Sequence, residues 1–222
     1  MNSLTKLSRV ILLGALSLVG CVGTLDSEDG IQDEDLDGMV EESAEEIGEA
    51  ASTEESGAQK PGNEEDALPA WCNDILTWNA SWTEYENQVL TLVNQKRAAG
   101  ATCGGTYYGP APALTFAERL RCSARKHSKD MGVNNFMSHT GSNGSTPWQR
   151  INNAGYQYTN AAENVAAGYS SPTAVVNGWM TSPGHCTSIM NPNLKHLGTG
   201  YYYNGASTST YKHYWTQNFG KP

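Results

Sequence analysis

The chain has 222 residues and a formal net charge of −9, but the charge is spread so unevenly that the total misleads. Residues 1–21 carry +2, residues 22–66 carry −16 and residues 67–222 carry +5, so only the last part has the size and balance of a folded domain. With 11 Lys/Arg against 6 Asp/Glu and no basic stripe, that domain gives no basis for nucleic-acid binding.

In chain order, Lys6 and Arg9 precede an apolar run from Val10 to Val19. That run is too short to cross a bilayer as a helix, so a processed export signal fits better. Leu18-Val19-Gly20-Cys21 places small residues just before a cysteine, the pattern of a bacterial lipoprotein signal. Acylation of Cys21 and of the new N-terminus would supply the several chains that stable anchoring needs. Val22, rather than Asp, after the cysteine points to an outer-membrane lipoprotein of a bacterial envelope, facing the periplasm or the cell exterior.

Residues 22–66 hold 17 Asp/Glu, one lysine (Lys60) and no aromatic residue. Such a segment cannot bury enough apolar surface to offset its ordering entropy, and is expected to be a disordered spacer. As a flexible coil it would reach about 35–40 Å. Asp33-Glu34-Asp35-Leu36-Asp37-Gly38 imitates the start of a calcium loop, but Ala44 stands where a bidentate Glu is required.

Residues 67–222 carry Cys72, Cys103, Cys122 and Cys186. In an exported domain an even number reads as two disulfides, with three pairings open, and no CxxC pair suggests a zinc thiolate. A helix is expected over Glu84–Ala99, with Tyr85, Val89, Leu92 and Val93 on one face and Gly100 ending it. Thr115 is expected to cap a second helix with a stripe through Phe116, Leu120, Ala124 and Met131. Thr146-Pro147 and Ser171-Pro172 start two more, Pro147–Ala154 and Pro172–Thr181. Strands are expected over Ala162–Ala167, His196–Tyr203 and Tyr211–Phe219, the last two flanking Asn204-Gly205. The late aromatic residues, Tyr201 to Tyr203, Tyr211, Tyr214, Trp215 and Phe219, read as strand residues packing a sheet rather than as a ligand platform. Helices first and strands last give an α+β fold.

Three residues sit where scaffolds place functional side chains, in loops and at element ends. They are His139 in Ser138-His139-Thr140-Gly141, Glu163 before Asn164, and His185 in Ser182-Pro183-Gly184-His185-Cys186. Taken singly, each has a structural explanation.

Their surroundings add a resemblance. Leu92-Val93-Asn94-Gln95-Lys96-Arg97, Ala124 to Met131, Phe136 to Gly141, Arg150 to Tyr156, Ala162-Glu163-Asn164-Val165, Gly178-Trp179 to His185, Ile189-Met190-Asn191-Pro192, Leu197 to Tyr201 and Tyr214 to Gly220 follow one another in order. Together they resemble the bacterial branch of the CAP superfamily (cysteine-rich secretory proteins, antigen 5 and pathogenesis-related 1; the SCP domain). The resemblance implies a three-layer α-β-α sandwich with a central, mainly antiparallel sheet and a cleft lined by two His and two acidic residues. His139, Glu163 and His185 match three of these. Ser182, after Trp179, stands where the fourth, a Glu, is usual. The set implies a divalent-cation site, zinc or another ion, weaker than one with two carboxylates. Ser182, Trp179, Asn164 and His127 are further cleft-lining candidates, although His127 reads better as structural. The resemblance also favours Cys103–Cys186, which leaves Cys72–Cys122.

The function expected first is a binding module, more readily than an enzyme, whose cleft takes a cation or a lipid, sterol, glycan or peptide and whose membrane contact is the Cys21 anchor. A metal-assisted hydrolase using His139, Glu163 and His185 is the alternative. A serine-type hydrolase using Ser138 or Ser182 stands third, because no GxSxG elbow exists.

Overall fold

A computed structural model of the chain describes Val40–Glu42 and residues 67–222. The export signal with Cys21, the calcium-like run Asp33 to Gly38 and the rest of the acidic segment lie outside the described residues. In chain order the elements are β1 (Val40–Glu42), a 3-10 helix (Ala70–Ile75), α1 (Ala80–Ala99), β2 (Ala101–Cys103), β3 (Thr106–Tyr108), β4 (Thr115–Phe116), α2 (Glu118–Asn134), α3 (Pro147–Asn153), β5 (Asn160–Ala167), α4 (Pro172–Thr181), α5 (Pro183–Met190), β6 (His196–Tyr203) and β7 (His213–Lys221).

The main sheet runs β1-β5-β7-β6-β4. Its centre is antiparallel, with β7 between β5 and β6, while β4 joins β6 in parallel. Alternation along β7 separates two faces. Trp215 and Phe219 point into a core shared with Val89 and Val93 of α1, Val176 and Trp179 of α4, and Ile189 of α5. Tyr214 points the other way, onto Met131 of α2. The architecture is therefore α-β-α, with α2 and α3 on one face and α1, α4 and α5 on the other. Of the late aromatic residues, Tyr201, Tyr214, Trp215 and Phe219 are buried in the packing of this sheet, and Trp215 stacks on Tyr85 of α1 at 6.1 Å, whereas Tyr203 is exposed.

Two glycines explain how closely α2 lies on the sheet. A Cβ on Gly198 would sit 2.0 Å from the Arg121 nitrogen, and one on Gly200 would sit 2.3 Å from the Ala124 carbonyl carbon. On one face of β6 these positions clear a groove into which the helix backbone itself settles.

Local signals set most boundaries. Thr146 and Gln149 form a complete capping box at α3, and the Ser171 hydroxyl caps α4. α1 begins at Ala80 rather than Glu84, because Asn79 caps it by accepting from the Ser81 N–H at 2.9 Å. Thr115 does not cap α2; its N–H donates to the Lys195 carbonyl at 2.9 Å, it joins β6 as β4, and the helix starts at Glu118 with no side-chain cap. β7 starts at His213 because Lys212, with φ 61°, ends the turn out of Tyr203. Val40–Glu42, within the acidic segment, pair antiparallel with Asn160–Ala162 and so cover the outer edge of β5 there.

Two bridges complete the frame. Cys72–Cys122 ties the 3-10 helix to α2, and Cys103–Cys186 ties β2 to α5. Both are the pairings that the resemblance implies. Among the described residues, no helix is long and apolar enough to cross a membrane.

Candidate functional site

A belt of polar residues crosses the middle of the sheet on both faces. Cross-strand register aligns Glu163 with Asn218 and Gly198, and Asn164 with Gln217 and Thr199. Glu163 and Asn164 are sequence neighbours on one strand, so their side chains leave by opposite faces.

On the α2–α3 face, Glu163 is fully buried. Its Oε1 accepts from His139 Nδ1–H at 2.9 Å and from Arg150 Nη2 at 3.0 Å; its Oε2 accepts from Arg150 Nη2 at 2.9 Å. The Asn218 amide takes the orientation in which its nitrogen donates to Glu163 Oε2 at 3.0 Å and its oxygen accepts from the Ala124 N–H at 3.2 Å, since the reverse would set oxygen against carboxylate. These four contacts match the number of acceptor sites a carboxylate offers. Burial, the largest single effect, would raise the Glu163 pKa, but Arg150, His127 and His139 together outweigh it and pull the carboxyl down to about 2.

Arg150 is placed by α3. Its other contacts, Nη1 to the Ser145 carbonyl at 2.8 Å and Nη2 to the His139 carbonyl at 2.9 Å, fasten the loop between α2 and α3. That loop carries His139, which is buried and whose Nε2 finds no hydrogen-bond partner among the described residues. His127, on α2, donates from Nε2 to the Ser138 carbonyl at 2.7 Å. Burial pushes its pKa down to about 4, so it holds the loop as a neutral imidazole. The Ser138 hydroxyl folds back to accept from the Thr140 N–H at 3.1 Å.

On the opposite face, Asn164 Nδ2 donates to Gln217 Oε1 at 3.1 Å and to the His185 carbonyl at 3.2 Å. His185 itself is buried in the first turn of α5. Trp179 lies in the core with its indole N–H on the Val165 carbonyl at 3.1 Å. Ser182 is the half-buried junction between α4 and α5, and its hydroxyl makes no cap bond to α5. Of the residues read from sequence, the structure thus joins His139 to Glu163 directly and sets His127 of α2 against the loop that carries His139. Asn164 touches His185 through its backbone, and Trp179 belongs to the core.

Arg150 and Asn218 were not among the sequence candidates. For Arg150 a signal exists: Pro147, Arg150, Ile151 and Ala154 form one apolar helix face, and an arginine there needs a buried acceptor. For Asn218 nothing local distinguishes it from the rest of β7.

A metal bound by His139, Glu163 and His185 does not fit this arrangement. Both Glu163 oxygens are engaged by Arg150, His139 and Asn218, so the carboxylate has no free site for an ion; His139, with Nδ1–H on that carboxylate, keeps only its unpartnered Nε2. Among the described residues, no three His, Cys, Asp or Glu side chains are grouped to hold an ion.

The model of the cysteine-rich secretory protein family matches residues 90–219. The chain belongs to that family. The chain is 32% identical over 169 residues to the uncharacterized protein YkwD of Bacillus subtilis (strain 168), covering 76% of this chain and 60% of that one. It is 29% identical over 144 residues to the uncharacterized membrane protein YlbC of the same organism, covering 65% of this chain and 36% of that protein. Among solved structures, an extracellular SCP-domain protein from Bacillus anthracis str. Ames superposes with a TM-score of 0.54 at 26% identity, over 66% of this chain and 45% of that one. The chain thus spans less than two thirds of the length of each of these relatives.

Proposed function

We propose that the protein is an exported, lipid-anchored CAP-domain binding module rather than a hydrolase. One observation carries this reading: the only carboxylate of the predicted cleft set, Glu163, is buried and saturated by Arg150, His139 and Asn218. It can neither accept a substrate proton at ordinary pH nor free an oxygen for an ion without breaking an internal ion pair. The cluster instead fixes the loop that carries His139 against the sheet and so shapes the surface around it. The extracellular SCP-domain relative and the Leu18-Val19-Gly20-Cys21 motif support placement in the cell envelope, with the CAP domain held off the membrane by the acidic segment. The ligand classes in keeping with such a module are a lipid, sterol, glycan or peptide.

The test is to purify the soluble Cys21→Ala form from the periplasm, extract it with organic solvent, and identify bound molecules by mass spectrometry, alongside a hydrolase panel with added divalent ions. A bound molecule present at a constant ratio and no turnover support the proposal. Metal-dependent turnover that disappears in His139→Ala would replace it with the hydrolase.

A further inference from the structure

The face of the sheet opposite Glu163 carries a polar row inside the main core. Asn164 of β5, Gln217 of β7 and Thr199 of β6 lie side by side in cross-strand register, and each is at most 2% exposed. The neighbours of Gln217 on the same face of β7, Trp215 and Phe219, belong to the apolar core. Polar side chains enclosed in this way cost folding free energy unless their donors and acceptors find partners.

One acceptor fixes how the row is oriented. The His185 carbonyl can only accept, so Asn164 turns Nδ2 towards it, at 3.2 Å. The other Nδ2 hydrogen goes to Gln217 Oε1 at 3.1 Å, which occupies both. Gln217 must therefore present its oxygen to Asn164, and its Nε2, a donor only, is left over. That Nε2 has no hydrogen-bond partner among the described residues, and neither has the Thr199 hydroxyl on the adjoining strand or Asn164 Oδ1. Directly opposite residues of antiparallel strands have Cβ atoms about 4.5–5.5 Å apart. The Gln217 donor and the Thr199 hydroxyl are thus neighbours that no direct bond joins.

A group that completes this row must accept from the Gln217 amide and donate to an oxygen. A cation cannot do the first and an anion cannot do the second, whereas water does both. We infer that an ordered water molecule is built into the core here, accepting from Gln217 Nε2–H and donating to Thr199 Oγ1. Two bonds of about 2.8–3.0 Å meeting at a water's near-tetrahedral angle span about 4.5–5 Å, which is the scale of the spacing between opposite side chains in this row. Through Gln217 and Asn164 the water links β6 to the His185 carbonyl, so the turn of α5 that carries His185 is held to the centre of the sheet by a hydrated connection. The site lies on the face away from the Glu163 cluster and does not depend on the binding-module reading, so either can fail alone.

The test is a crystal structure of the soluble Cys21→Ala chain at a resolution that shows ordered water, with urea unfolding of Thr199→Val beside it. A water within about 3.2 Å of both Gln217 Nε2 and Thr199 Oγ1 is expected. Valine keeps the shape of threonine without the hydroxyl, so the sign of its effect separates two cases. Where the hydroxyl holds a water, Thr199→Val strands that water and the Gln217 amide, and the urea midpoint falls. Where the hydroxyl is unbonded, the same change removes a buried polar atom that costs stability, and the midpoint stays or rises. The fall is the expected result. No water between the two atoms, a direct Gln217–Thr199 hydrogen bond, or an unchanged or raised midpoint in Thr199→Val would each overturn the inference.

Discussion

Replacing Arg150 with methionine removes the guanidinium and leaves the Glu163 carboxylate buried with His139 and Asn218 as its remaining donors. Removing one partner of a buried ion pair costs about 3–5 kcal/mol, because the other charge stays desolvated. For a domain of this size, each kcal/mol moves Tm by about 2–4 °C, so Arg150→Met should lower Tm by about 6–20 °C. Urea unfolding with the disulfides intact measures it directly. The double variant Arg150→Met/Glu163→Gln removes the stranded charge and should recover about 2 kcal/mol. A single variant within about 1 kcal/mol of the parent, or a double variant no better than the single, would refute the claim that Arg150 is there to neutralise Glu163.

The same groups predict an acid profile. Unfolded His127 takes a proton near 6.5 while the folded one resists it down to about 4, so its contribution is whole above 6.5 and is lost as pH falls from 6.5 to 4. Glu163, held at about 2 against 4.5, contributes above 4.5 and is lost as pH falls from there toward 2. The urea midpoint should therefore decline in two stages, and His127→Gln should flatten mainly the first; an unchanged slope between 6.5 and 4 would refute this. Gly198→Ala drives a Cβ into the α2 backbone and should destabilise by about 1–3 kcal/mol or more, whereas a neutral effect in thermal melts would mean that α2 packs less closely. Cys103→Ser/Cys186→Ser opens a link between residues 83 apart and should cost up to about 4.6 kcal/mol by the chain-entropy model, read as a lower urea midpoint; no loss would show that β2 and α5 hold without it.

Much of the fold was legible because the chain marks its elements locally. The Thr146-Pro147 and Ser171-Pro172 starts were read correctly since hydroxyl capping and proline are both first-turn chemistry. Thr115 misled for the same reason: a capping residue type is also a good strand residue, and parallel pairing with β6, a contact distant in sequence, decided between them. At the site, His139 and Glu163 could be named from their motifs, but what the carboxylate does could not. That depends on Arg150 and Asn218, brought to it by a separate helix and by the register of β7. The same register puts Asn164 on the opposite face, a division that follows from strand geometry but is visible only once the strand is certain.

The most direct test of a locked, ion-free cluster is zinc content. The soluble Cys21→Ala protein, purified without chelators or an affinity tag, is assayed by plasma mass spectrometry beside His139→Ala and His185→Ala. The saturated Glu163 carboxylate predicts zinc well below one per chain in all three. One zinc per chain in the parent, lost in both variants and released as pH falls through about 6.5, would contradict it.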